Sequence, residues 1–156
     1  MPETPHFKIW IDADACPKIV KEIVFKASLR LKVPVCLVAN SVMHVPPTPF
    51  TSFIQVEKGD DVADFYIVEN LNPEDLVITA DIPLAALVVE KGAVAIDPRG
   101  DLYTEENVRE RLSVRDFMKT LRDTGMETGG PPPLTPKDKE RFANSLNRLL
   151  TQLLNS

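Results

Sequence analysis

Ile9-Trp10-Ile11-Asp12-Ala13-Asp14-Ala15-Cys16-Pro17 decides how the rest of the chain is read. An apolar run ends in two aspartates, and a proline then opens the next element, the pattern of a strand leading into a helix. In a strand, residues two apart share a face, so Asp12 and Asp14 can point at one spot unless the turn rotates the second away. Carboxylates held that close repel, and the remedies are a shared proton or a divalent cation. A plainer role competes for Asp14, that of N-cap to the helix starting near Pro17, where Asp followed by Pro is favoured.

Working outward, Phe7–Ile11 reads as a buried strand and Lys18–Leu31 as a helix whose Ile19, Ile23, Ala27 and Leu31 recur four apart. Val33–Ala39 is a second strand, which completes a right-handed β-α-β unit with parallel strands. Pro46, Pro47 and Pro49 mark a loop, and Phe53–Val56 a short edge strand. Gly59-Asp60-Asp61 opens a helix to Asn70, and Asn72-Pro73 precedes the buried strand Leu76–Thr79. A helix over Pro83–Lys91, a strand at Val94–Ile96 and a turn at Pro98-Arg99-Gly100 come next. The alternation predicts a three-layer α/β/α domain with a mainly parallel sheet. Thr104–Arg122 holds one or two helices. We divide the chain into an α/β domain over 1–125, a Gly/Pro linker over 126–136 and an amphipathic helix over 137–156. The stripe Leu146, Leu149, Leu150, Leu153 and Leu154 on that helix fits packing on its own domain or a homo-oligomer contact.

At 156 residues the chain is one domain with room for a proper core, and 44% hydrophobic against 6% aromatic residues make that core aliphatic. No charged and apolar leader opens the sequence, and no apolar run approaches the ~20 residues that span a bilayer. The expectation is a cytoplasmic protein without membrane contact. Cys16 and Cys36 are too few for a disulfide framework or a zinc site. Carboxylates beside Cys16 raise a thiol pKa, against a nucleophilic role. A formal charge of −5 disfavours general binding of duplex DNA. Arg109, Arg111, Arg115, Lys119 and Arg122 against Glu110 and Asp116 leave a local surplus, which suits an RNA contact or a solvated helix face.

In a parallel sheet the carboxyl ends of the strands face one crevice. Asp12 and Asp14 follow the first strand, Asp60, Asp61 and Asp64 begin a helix, and Asp81 and Asp97 follow the later strands. Caps account for Asp60 or Asp61 and for Asp81. Asp64 lies beyond the cap, among Val62, Ala63, Phe65 and Ile67, so capping does not explain it. Donors that are all oxygen select a hard ion, Mg²⁺ or Mn²⁺ rather than zinc, and phosphodiester hydrolysis is the reaction that fits.

The opening stretch resembles the signature of the YaiI/YqxD family, bacterial proteins related to the PIN/NYN-type metal-dependent nucleases. Further blocks come in the family's order: Lys58-Gly59-Asp60-Asp61-Val62-Ala63-Asp64, Val77-Ile78-Thr79-Ala80-Asp81-Ile82-Pro83-Leu84-Ala85, Asp97-Pro98-Arg99-Gly100, Arg115-Asp116-Phe117-Met118 and Thr128-Gly129-Gly130-Pro131. The resemblance covers essentially the whole chain and implies a PIN-like domain with RNA endonuclease activity. It implies Asp12, Asp64 and Asp81 as main metal ligands, with Asp14, Asp61 and Asp97 outer or conditional. Thr79 would orient the site. Lys18, Asn40, Arg99 and Arg115 are candidates for phosphate contact, surface ion pairs being their plainer role. Two alternatives stand beside this reading. A haloacid-dehalogenase-type aspartyl-phosphate phosphotransferase also opens with Asp-x-Asp, but its late acidic motif follows the Thr/Ser strand, whereas here it precedes Thr79. A non-catalytic RNA- or protein-binding module would keep the scaffold, although no stacking-aromatic motif is present.

Overall fold

The structure is a computed structural model that describes residues 6–59, 61–126 and 133–155. Asp60, the Thr128–Pro131 block and most of the expected linker lie outside the described residues. Five strands, β1 (Ile9–Asp12), β2 (Val35–Ala39), β3 (Thr51–Gln55), β4 (Leu76–Ile78) and β5 (Val94–Ile96), form one parallel sheet in the order β3-β2-β1-β4-β5. Five helices, α1 (Lys18–Leu31), α2 (Val62–Asn70), α3 (Ile82–Glu90), α4 (Glu105–Asp123) and α5 (Pro136–Leu154), accompany it. The chain leaves β1 in one direction and returns to add β4 on its other side. That reversal is the switch point at which open α/β sheets form their crevice.

Apart from the half-exposed edge strand β3, both sheet faces are buried, which explains why the other strands read as continuous apolar runs. Ile9 and Ile11 of β1, Val35, Leu37 and Ala39 of β2, and Leu76 and Ile78 of β4 face a layer made by Val20, Val24 and Ala27 of α1 with Phe142, Leu146 and Leu150 of α5. Trp10, Cys36, Val38 and Val77 face the opposite layer, formed by Ile67 of α2, Leu84, Ala85 and Val88 of α3, and Val108 of α4. The three-layer α/β/α architecture is therefore present, with a sheet that is parallel throughout.

Region 104–122 is one continuous helix, begun by a capping box between Thr104 and Asn107. For the last helix, the structure takes the own-domain alternative: Phe142, Leu146 and Leu150 are fully buried against the sheet, and Leu149 and Leu153 pack beside them. Among the described residues no helix is long and apolar enough to cross a membrane. The amino ends of β1 and β4 are joined through buried Asp75, which accepts from the backbone amides of Lys8 and Asn72 and from the Trp10 indole, each at 2.9 Å. Those three donors satisfy a carboxylate that the core would otherwise exclude.

Candidate metal centre

Three segments deliver carboxylates to the switch point. Asp12 is the last residue of β1, Asp64 stands in the first turn of α2, and Asp81 is the N-cap of α3 just past β4. One oxygen from each lies within 4.8 Å of the others. Asp12 and Asp64 are only 3% and 8% exposed. Neutral donors hold Asp12 and Asp81 in place. The Thr79 hydroxyl donates to Asp12 Oδ2 at 2.8 Å and accepts from the Asp81 amide at 2.9 Å, while Asp81 Oδ1 accepts from the Leu84 amide at 3.1 Å. Asp81 thus caps a helix with one oxygen and still joins the cluster.

Burial is the main reason that Asp12 and Asp64 resist ionisation. It pushes Asp12 up to about 6, and the charges of Asp81 and Asp14 add to it against the opposing hydrogen bond from Thr79. Asp64 is pushed up to about 7, first by burial, then by the charges of Asp81, Asp12 and Asp61, and by a hydrogen bond to Asp81 that favours protonated Asp64. A set of this kind takes up either a proton or a hard cation.

Asp14 does not cap α1. Pro17 occupies the N-cap without a side-chain bond, because Ala13–Ala15 forms a 3₁₀ turn that carries Asp14 outward, where its Oδ2 accepts from the Asn40 amide at 2.9 Å. Asp61 takes the N-cap position of α2 on left-handed backbone, φ 66°, and makes no capping bond. Asp14, Asn40, Asp61 and the three clustered carboxylates all border one cleft of about 600 Å³, and Arg115 and Lys119 of α4 line it as well.

Asp97 does not join them. Its Oδ1 closes a turn by accepting from the amides of Arg99 and Asp101 at 2.9 and 3.0 Å, and its Oδ2 is paired with Arg111 at 3.0 Å. The fold commits that carboxylate to holding the loop after β5 against α4. Lys18 begins α1, exposed, and lines neither this cleft nor its neighbour. Arg99 borders the neighbouring cleft and pairs with Asp138 at 2.6 Å. Sequence reasoning passed over Lys119 as a site residue, although its spacing of four from Arg115 puts both on one helix face. Lys21, whose charge opposes the upward shift of Asp12, was also missed. The Cys16 thiol is buried and pushed up to about 12, by desolvation above all, which leaves it inert.

Fold and site together define a three-layer α/β/α protein with a carboxylate triad at the switch point of its parallel sheet. Residues 10–152 match the family model described as "Uncharacterized BCR, YaiI/YqxD family", and the chain belongs to that family. It is 58% identical over 144 residues to a UPF0178 protein of Hydrogenovibrio crunogenus, a match spanning 92% of this chain and 95% of the other. A UPF0178 protein of Citrifermentans bemidjiense is 62% identical over 147 residues, with 94% and 96% covered. No solved structure gives a significant match.

Proposed function

We propose that Asp12, Asp64 and Asp81 hold Mg²⁺ or Mn²⁺ and that the protein is a PIN/NYN-like metal-dependent phosphodiesterase, an endonuclease acting on RNA. The observation that carries this reading is the convergence of three carboxylates from separate segments, with mutually close oxygens, at the switch point of the sheet. An all-oxygen donor set on fixed element ends, steadied by neutral hydrogen-bond donors, fits a hard divalent ion. Bound there, such an ion polarises a phosphate and lowers the pKa of water.

The chain's own groups do the rest. Thr79 sets the Asp12 carboxylate and the start of α3 with one hydroxyl. Arg115 and Lys119 face the acidic rim from α4 and offer cations to phosphate oxygens. Asp14, fixed by the Asn40 amide, and Asp61 serve as outer carboxylates on the same rim. A net charge of −5 leaves attraction to the substrate to this local set, which favours RNA strands over long duplex DNA.

Calorimetry with Mn²⁺ on the wild type and on an Asp12→Asn/Asp81→Asn double variant tests the site, and equal binding by the two proteins would overturn it. Cleavage of a pool of structured and single-stranded RNAs, dependent on Mg²⁺ or Mn²⁺, is expected to vanish in Asp12→Asn and to persist in Cys16→Ser.

A further inference from the structure

Beyond Asp14 and Ala15 lies a second cleft, of about 530 Å³. Among the described residues, only that pair is common to its lining and to the lining of the carboxylate cleft. Behind them the partition is tied by the Ala80 amide, which donates to the Ala15 carbonyl at 3.0 Å. The two clefts are neighbours in construction as well. Tyr103, on the wall of the second, donates its hydroxyl to the Thr79 carbonyl at 3.2 Å, and the Thr79 side chain holds Asp12 in the first.

The chemistry of the second cleft differs from that of the first. Cys16, Pro17, Ile82, Pro98 and Leu134 give it an apolar wall. Two guanidinium groups border it, and both are held by carboxylates. Arg111 lies over the Tyr103 ring, 4.9 Å from its centroid, and is bonded to Asp97 at 3.0 Å and to Asp101 at 3.4 Å. Arg99 is bonded to Asp138 at 2.6 Å. A guanidinium fixed in this way presents a flat face at low entropic cost.

We propose that this cleft is a nucleobase subsite, in which the base of the nucleotide whose phosphate lies at the carboxylate rim rests between the apolar wall and the held guanidinium groups of Arg99 and Arg111. The inference rests on the phosphodiesterase reading for the position of the phosphate. A base fits because it has apolar faces and a hydrogen-bonding edge and is tethered within one nucleotide of its phosphate. A bare sugar phosphate has nothing to place on the apolar wall. Because a base must leave its stack to enter such a cleft, the substrate is an unpaired nucleotide within a single-stranded or looped segment.

The test is titration of the full chain in Mg²⁺ with each of the four nucleoside 5′-monophosphates and with ribose 5-phosphate, monitored by backbone amide shifts. One or more nucleotides should bind about tenfold tighter than ribose 5-phosphate, the gain that stacking of one base supplies. Their shifts should reach Cys16, Ile82 and Tyr103. Ile82→Ala, which removes part of the apolar wall, and Leu134→Asp, which puts a like charge on it, should each shrink that difference and leave Mg²⁺ affinity unchanged. If every nucleotide binds no tighter than ribose 5-phosphate, or if shifts stay on the carboxylate side, the subsite is overturned. Titration with nucleosides in the absence of metal separates the two readings. Base-dependent shifts at the second cleft support the subsite even where Mg²⁺ binding and RNA cleavage fail, whereas cleavage without any base-dependent binding overturns the subsite alone.

Discussion

One hydroxyl, that of Thr79, organises the candidate metal centre by donating to Asp12 and accepting from the Asp81 amide. Thr79→Val keeps the shape but leaves the half-buried Asp81 amide unpaired and loosens the buried Asp12, so it should cost ~1–3 kcal/mol in stability. It should also weaken Mn²⁺ binding, and Thr79→Ser should restore both, as thermal melts and calorimetry would show. Asp64 brings a pH effect. Its folded pKa, about 7, lies above the ordinary 3.8, so the advantage of keeping it protonated is complete below pH ~4 and is lost as pH rises through about 7. Metal-free Asp64→Asn, which never ionises, should match or trail the wild type at pH 4 and gain on it as pH rises to 8, by up to ~4 kcal/mol for the full shift. A melting difference independent of pH would show that Asp64 ionises freely. Mn²⁺ affinity of the wild type should climb over the same range as the ion displaces the proton.

The turn Asp97–Asp101 links two elements far apart in sequence. Gly100 sits at φ 94°, and a Cβ there would stand 2.8 Å from the Arg141 carbonyl oxygen of α5. Arg99–Asp138 and Arg141–Asp101, at 2.6 and 2.7 Å, clamp the same junction. Gly100→Ala meets both a disfavoured backbone and a backbone clash, and should destabilise by ~2 kcal/mol or more in denaturant titration. This junction shows where sequence reading stopped. The bounds of helix α1 were legible to the residue because its apolar spacing is regular and Pro17 marks its start, although Val20 and Val24 rather than Ile19 and Ile23 are its fully buried residues. The gathering of Asp12, Asp64 and Asp81 was legible because parallel strand ends share one crevice. Asp97 looked equivalent, and only its partner Arg111, on another helix, assigns it to the turn. The edge strand β3 begins at Thr51, two residues before the expected Phe53, because Thr51 and Ser52 carry little apolar signal and pair through the backbone of β2.

For the molecule as a whole, α5 is half of one layer. Phe142, Leu146 and Leu150 are buried completely, and Leu146→Ala should cost ~2–5 kcal/mol. Removing residues from Leu134 onward uncovers the face of the sheet that carries Ile9, Ile11, Leu37 and Ile78. The loss rivals the ~5–15 kcal/mol that holds an average domain together. The truncated chain should therefore aggregate or lose its near-ultraviolet circular dichroism, and a monomer with a native spectrum would contradict this packing. The order of elements carries a consequence for synthesis. All five strands and four helices leave the ribosome before the residues that close the α1 side of the sheet, so a nascent chain displays a broad oily surface late in its translation. Completion of the fold is thereby tied to the arrival of α5, and chaperones that bind exposed apolar strands would meet this chain in that interval.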